Sequence, residues 1–348
     1  MASKNLSKQT VGVIGAGSFG TAVANILAEN VQVLLYARTP ETLEGLIRSK
    51  KENDNLLHEN ITPTNDLQVV AENCEIIFPI VPSENFREMM KQLSPYLHPY
   101  HILIHGTKGL DLKAPSASSK KTLTRAMVRT MSEVIMEESV VVRVGCLAGP
   151  NLAKELADHQ PAATVVASRF NEVIKAGQRL LRSDRFQVYG SKDLIGVELC
   201  GVLKNIIAIG SGALSGMGLG ENARALLISR GMVEMIYLGK ALGGNTEAFI
   251  GLAGVGDLVA TCSSTHSRNF TVGYRLAQGE VLSDILHSME EVAEGVNTIQ
   301  TVKKLASYYK VRAPITETLY KVLFEGMTVE KALELLMKSP FNSDVDFL

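Results

Sequence analysis

One ten-residue stretch constrains this chain more than any other: Val11-Gly12-Val13-Ile14-Gly15-Ala16-Gly17-Ser18-Phe19-Gly20. An apolar run of one strand's length leads into Gly15, Gly17 and Gly20 at G-x-G-x-x-G spacing, and helical texture follows after Thr21. With a strand before and a helix after, each glycine has a separate task. Gly15 permits the tight turn, Gly17 lets backbone approach a pyrophosphate, and Gly20 lets helix and strand pack without an intervening side chain. Exposed N–H groups at the start of the helix then face the anion. Ala22, Ala24 and Ala28 keep that helix slim. The stretch therefore predicts a dinucleotide-binding unit at the N-terminus.

Residues 32–36 read as the second strand, and Thr39-Pro40-Glu41 as a capped helix start, which completes the first β-α-β unit. In such a unit an acid about 20 residues beyond the glycines holds the ribose 2′-OH. That place carries Arg38 and no acid. An arginine there either receives a 2′-phosphate or stacks on adenine, and residue chemistry alone leaves both open.

Residues 75–81 and 101–105 read as further buried strands, the first ending at Pro79. His98, His101 and His105 suggest metal ligation, but on a strand the last two lie roughly 13 Å apart at about 3.3 Å per residue, too far to share an ion. They read as surface or strand-end histidines, and no metal is expected. Gly106-Thr107-Lys108-Gly109 follows at the strand's carboxyl end, the edge where open α/β sheets bind ligands. Lys108 either reaches into that crevice or is a solvated loop lysine. Residues 113–121, small, polar and basic, read as a mobile surface loop. Residues 140–146 form another strand, delivering Ala148-Gly149-Pro150-Asn151-Leu152-Ala153 to the same edge, and 163–167 and 186–189 complete the sheet. From Ser191 strand-like runs give way to helical periodicity. The expected fold is α/β, a Rossmann-type dinucleotide-binding domain at 1–190 followed by an all-helical substrate-binding domain at 191–348.

Composition sets the class of partner. With 35 Lys+Arg against 36 Asp+Glu, the net charge is -1, which favours small molecules over nucleic acid or an anionic membrane. No apolar run approaches about 18 residues, so neither export nor a membrane span is expected. Cys74, Cys146, Cys200 and Cys262 form no C-x-x-C pair and read as reduced thiols of a cytoplasmic protein. The sequence leaves the oligomeric state open, a homodimer included.

Residues 193–210 are expected to be helical. Steps of three and four place Lys204 among Val197, Cys200, Gly201, Ile207 and Ala208, one ammonium on an apolar face. The alternative is a stem that snorkels to the surface. If buried, desolvation lowers its pKa and makes it a workable proton donor near neutrality. Residues 251–258 read as a glycine-rich turn ending in Asp257. Ser267-Arg268-Asn269 follows, with donors suited to a phosphate.

With these residues in view, the chain resembles the soluble NAD(P)-dependent glycerol-3-phosphate dehydrogenases, close to the bacterial type. The likeness spans roughly residues 11–337 and keeps the family's motif order. The motifs are Gly-Ala-Gly-Ser-Phe-Gly at 15–20, Gly-Thr-Lys-Gly at 106–109, Ala-Gly-Pro-Asn at 148–151 and Leu-Lys-Asn at 203–205. Gly-Leu-Ala-Gly-Val-Gly-Asp-Leu at 251–258, Ser-Arg-Asn at 267–269 and Val-Ala-Glu-Gly at 292–295 follow. The resemblance implies NAD or NADP as cofactor, with Ser18, Phe19, Arg38 and Lys108 in contact with it and Ala153, Arg268, Val292 and Glu294 closing around it. It implies that Lys108, Gly149, Asn151, Lys204, Asp257, Ser267, Arg268 and Asn269 line dihydroxyacetone phosphate or sn-glycerol 3-phosphate. Lys204 matches the family's proton-transferring lysine, and Asn205 and Asp257 then orient and charge-balance it. The implied role is supply of glycerol 3-phosphate for glycerophospholipid synthesis. Phe19 stands where Trp is common, Asn151 and Leu152 replace a more usual Ser or Thr followed by Phe, and the 113–121 loop is enlarged. Two other classes compete. The β-hydroxyacid dehydrogenases also carry a lysine on a helical domain, but resemble Lys-x-x-Asn where this chain has Lys204-Asn205. A non-enzymatic nicotinamide redox sensor has no need of a buried lysine beside an anion cluster.

Overall fold

Period-two alternation in the first, fourth and fifth strands sorts their side chains onto two faces of one sheet, and both faces are covered. In the computed structural model, which describes residues 9–52, 56–112, 125–289 and 291–338, Val11, Val13, Ile76, Phe78, Ile102 and Ile104 share one apolar core. Their neighbours Ile14, Ile77 and Leu103 belong to another. Burial on both sides is why these strands read as continuous apolar runs. The segment expected to be a basic loop, 113–121, lies outside the described residues.

The strands are β1 (Thr10–Ile14), β2 (Gln32–Tyr36), β3 (Ile61–Thr64), β4 (Ile76–Pro79), β5 (Ile102–His105), β6 (Asp111–Leu112), β7 (Val128–Arg129), β8 (Arg143–Ala148), β9 (Ala162–Ser168) and β10 (Phe186–Ser191). β6 and β7 pair as a short ribbon, and the other eight form one sheet in the order β10-β9-β8-β5-β4-β1-β2-β3. Every pairing in it is parallel except β8 with β9. β1, β4, β5 and β8 therefore present their carboxyl ends at one edge. The order reverses between β1 and β4, the crevice position for ligands in open α/β sheets.

The chain divides into two compact units, Met1–Asp111 with Thr130–Leu194 and Leu112–Arg129 with Ile195–Leu348. The first contains the sheet and α1 (Ser18–Ala28), α2 (Pro40–Glu52), α3 (Leu67–Asn73), α4 (Ser83–Leu93), α5 (Met131–Glu138), α6 (Ala153–Ala157) and α7 (Asn171–Leu181). The second carries α8 (Leu194–Gly216), α9 (Glu221–Ala241), α10 (Thr246–Ile250), α11 (Asp257–Ser263), α12 (Arg268–Ala277), α13 (Leu282–Ser288), α14 (Glu294–Tyr309), α15 (Pro314–Phe324) and α16 (Val329–Met337).

Several expectations shift. α1 begins at Ser18, before Thr21, because Gly17 is itself the extended residue that starts the helix. The strand expected at 140–146 is β8, starting at Arg143. Val140 and Val142 are apolar but more than half exposed, so the run continues the hydrophobic pattern without being core. His101 and His105 sit at strand ends as expected but are buried. His101 Nε2 is 3.0 Å from the Ala71 carbonyl, and His105 Nε2 is 3.2 Å from Ser132 Oγ. The helix expected at 193–210 runs on to Gly216. By length and mean hydropathy α8 could cross a membrane, although Glu198, Lys204 and Asn205 interrupt its apolar runs. It is instead a core helix, with 94% of its most apolar stretch buried inside the protein.

Glycine contacts fix the helices around α8. A Cβ on Gly273 of α12 would lie 1.8 Å from the Ile209 carbonyl oxygen, and one on Gly212 would lie 1.9 Å from that of Phe270. Backbone meets backbone there, so the start of α12 is held in register with α8.

Candidate active site

In the first unit three loops meet at the carboxyl edge of the sheet. Gly15 donates its N–H to the Tyr36 carbonyl at 3.2 Å, Ile80 to Ile14 at 2.7 Å, and Gly106 to Pro79 at 3.1 Å. Gly15 has φ +118, and a Cβ there would sit 2.0 Å from the Ile80 oxygen. A Cβ on Gly20 would sit 1.8 Å from the Gly15 oxygen, whereas one on Gly17 would meet nothing within 4 Å. Two glycines are thus forced by backbone contacts. The third leaves open space at the first turn of α1, where the positive end of the helix suits a pyrophosphate.

Phe19, half-buried, packs beneath Gly106, with its ring 3.0 Å from the position of a Cβ on that glycine. Lys108 follows and points its Nζ to the Gly149 carbonyl at 3.5 Å, so the loops after β5 and β8 converge. Asn151 is buried and donates from Nδ2 to the Ala163 carbonyl at 3.1 Å. Its Oδ1 has no hydrogen-bond partner among the described residues, a buried acceptor suited to a substrate hydroxyl. Ala153 opens α6, which packs against α1. Arg38 is exposed just past β2. Burial raises the Tyr36 phenol pKa while the nearby Arg38 charge pulls it back.

The second unit answers the question left open at Lys204. Its side chain is 5% exposed, so the stem does not snorkel. Nζ donates to Asp257 Oδ1 and to Thr261 Oγ1, each at 2.5 Å. The expected turn at 251–258 is instead a π-helical segment, Leu252–Gly256, running into α11. A Cβ on Gly254 would lie 1.8 Å from the Phe249 oxygen, so only glycine lets the chain pass that carbonyl. As first residue of α11, Asp257 shares a face with Thr261, four residues on. The Thr261 hydroxyl donates to the Asp257 carbonyl at 2.6 Å and accepts from Lys204. Thr261 is the functional candidate missing from the sequence reading. Its signal was the i,i+4 spacing from Asp257, visible only once a helix is placed there. Burial opposes the ammonium and the Asp257 carboxylate supports it. Burial also pushes the neighbouring Cys262 thiol up to about 12, leaving it protonated and out of the chemistry.

Ser267 caps α12, its Oγ accepting from the Phe270 N–H at 3.3 Å. Arg268 Nη1 donates to the Val292 carbonyl at 3.2 Å and lies 3.1 Å from Glu291. Asn269 Oδ1 accepts from the Gly295 N–H at 2.9 Å, next to Glu294 at the start of α14. A Cβ on Gly295 would also lie 2.8 Å from the Asn205 oxygen, so α8, α12 and α14 converge at that glycine. Lys204, Asn205, Asp257, Ser267, Arg268, Asn269, Val292 and Glu294, scattered over some ninety positions, thus belong to one helical unit.

Comparison with known sequences decides the lineage. The profile of the NAD-dependent glycerol-3-phosphate dehydrogenase N-terminus matches residues 10–174, and that of its C-terminus matches 193–334. The chain belongs to this family. A glycerol-3-phosphate dehydrogenase (NAD(P)+) of Ectopseudomonas mendocina is 42% identical over 346 residues, covering 98% of this chain and 97% of the relative. One from Pseudomonas aeruginosa is 40% identical over 347 residues, 98% of each. The crystal structure of the Coxiella burnetii glycerol-3-phosphate dehydrogenase, 32% identical, superposes with a TM-score of 0.83 over 95% of this chain and 99% of that one. Membership of the glycerol-3-phosphate dehydrogenases sets aside both the β-hydroxyacid dehydrogenase and the redox-sensor alternatives.

Proposed function

We propose that this chain interconverts sn-glycerol 3-phosphate and dihydroxyacetone phosphate with NAD(P)(H), acting in the cytoplasm, with residues 1–190 binding the dinucleotide and 191–348 the substrate. The observation that carries the reading is Lys204, buried and held by Asp257 and Thr261 in the same helical unit as Ser267-Arg268-Asn269. Four buried cysteines kept as thiols accord with a reducing compartment.

Gly15, Gly17, Ser18, Phe19 and Gly20 hold the cofactor, assisted by Arg38, Lys108, Ala153, Arg268, Val292 and Glu294. When bound, the nicotinamide supplies hydride to the ketone carbon. Negative charge then grows on the ketone oxygen, where the Lys204 ammonium stabilises it and delivers the proton. Asp257 keeps that group charged in a buried setting, Thr261 fixes its direction, and Asn205 adds a polar neighbour. In the reverse direction Lys204 accepts the alcohol proton. Arg268 and Asn269 take the phosphate, with Ser267 ordering the first turn of α12 beneath it, while Lys108, Gly149 and Asn151 contact the rest of the substrate.

The first experiment is NAD(P)H oxidation on addition of dihydroxyacetone phosphate, followed at 1:1 stoichiometry, and no oxidation by the folded protein would end this reading. Arg268→Ala is expected to cost about 1.5–3 kcal/mol in kcat/KM for dihydroxyacetone phosphate, the scale of a lost charged hydrogen bond. An unchanged kcat/KM removes Arg268 from phosphate binding. For the cofactor, two groups beyond β2, Arg38 and Thr39, can meet a 2′-phosphate, and the position that usually carries a ribose-binding acid holds Arg38. NADPH should therefore be accepted, and Arg38→Ala should weaken NADPH by about 1.5–3 kcal/mol and NADH much less. Equal losses for both cofactors would show that Arg38 stacks on adenine instead.

A further inference from the structure

We propose that Glu291 is a built-in competitor for the substrate phosphate at Arg268 and thereby sets how strongly the site prefers a dianion. The inference rests on the reading of Arg268 as the phosphate-binding residue. Glu291 Oε2 lies 3.1 Å from Arg268 Nη1, which also donates to the Val292 carbonyl at 3.2 Å. Both partners belong to the segment just ahead of α14, and that segment is fastened by the 2.9 Å bond from the Gly295 N–H to Asn269 Oδ1. One short stretch of chain therefore holds the residue after Arg268 and delivers a carboxylate to Arg268 itself.

A guanidinium recognises carboxylate and phosphate oxygens through the same N–H fork. Glu291 approaches Arg268 at Nη1, and the guanidinium carries three more N–H donors on Nε and Nη2. A phosphate dianion brings three oxygens and a second charge and can displace one carboxylate oxygen. A ligand with a single carboxylate only exchanges like for like, and a neutral ketone must leave the internal pair in place. Glu291 thus lowers the affinity of Arg268 for every anion, the substrate phosphate included, at no matching cost to a neutral ketone. The two side chains are 46% and 39% exposed, so the pair has the strength of a surface contact and is screened by salt. It tunes affinity and does not block the site.

The test uses the full-length enzyme and Glu291→Gln, which keeps size and polarity and removes the charge. At low ionic strength the KM for dihydroxyacetone phosphate and the inhibition constant of inorganic phosphate should both fall about two- to fivefold. At high ionic strength parent and variant should converge. Dihydroxyacetone, the same ketone without phosphate, should show no comparable gain. Unchanged or weaker binding of both phosphates in Glu291→Gln overturns the proposal, as does an equal gain for dihydroxyacetone, which would signal loosened structure. Arg268→Ala separates the two levels. If it leaves phosphate inhibition intact, the phosphate reading of Arg268 falls; if it abolishes inhibition while Glu291→Gln changes nothing, only the role of Glu291 falls.

Discussion

Lys204→Ala is expected to lower kcat by about 10²- to 10⁴-fold, the usual scale of lost acid–base catalysis, with NAD(P)H affinity near that of the parent. The two effects separate because the glycine loop is built by β1, β2 and β4, none of which uses Lys204. The substitution also leaves Asp257, 2% exposed, without its cation, and uncompensated buried charge is destabilising by about 3–5 kcal/mol. Folding must therefore be verified by circular dichroism and thermal midpoint before the rate is interpreted. Lys204→Arg supplies the control. It keeps a cation for Asp257 but cannot give up a proton near neutrality, so it should recover stability and remain slow. Near-parental turnover in either folded variant would take Lys204 out of proton transfer.

How much of this was readable beforehand depended on how local each cause is. The glycine loop was legible because its three constraints fall within six residues, and the structure adds only the atoms they avoid, the Ile80 and Gly15 carbonyl oxygens. The strands were legible in place and imprecise in extent. Val140 and Val142 extend the apolar pattern without being buried, and Pro79 ends β4 where its missing N–H would stop a ladder. Helical spacing set Lys204 on an apolar face but left burial and snorkelling both open, and it hid the partners as well, since Thr261 needs a helix in a stretch whose glycines suggest a turn. The bond between Asn269 and Gly295 joins two helix starts 26 residues apart, and no local pattern announces such a pairing. What stays hidden from sequence is the long-range polar contact, and Glu234 is its clearest case.

Glu234 lies on α9, buried, and its carboxylate accepts from the backbone N–H groups of Ile315 at 2.8 Å and Thr316 at 2.9 Å, and from the Thr316 hydroxyl. These donors open α15, whose own N-cap, Ala313, offers no side-chain bond, so a carboxylate from 81 residues away does the capping. Burial outweighs the three hydrogen bonds and, with a smaller push from Glu317, moves the Glu234 carboxyl from 4.5 up to about 7. Between those values the folded protein holds a proton that the unfolded chain has released, so stability falls as pH rises. A shift of that size corresponds to about 3 kcal/mol, fully present below pH 4.5 and lost as pH passes 7. Glu234→Gln cannot ionise and lacks this dependence. It carries a pH-independent offset from its imperfect cap, so the informative quantity is the slope. Urea midpoints from pH 5 to 8 should show the variant gaining on the parent by about 3 kcal/mol as pH rises. Parallel profiles for parent and variant would mean that Glu234 stays ionised throughout, with its three donors winning over burial.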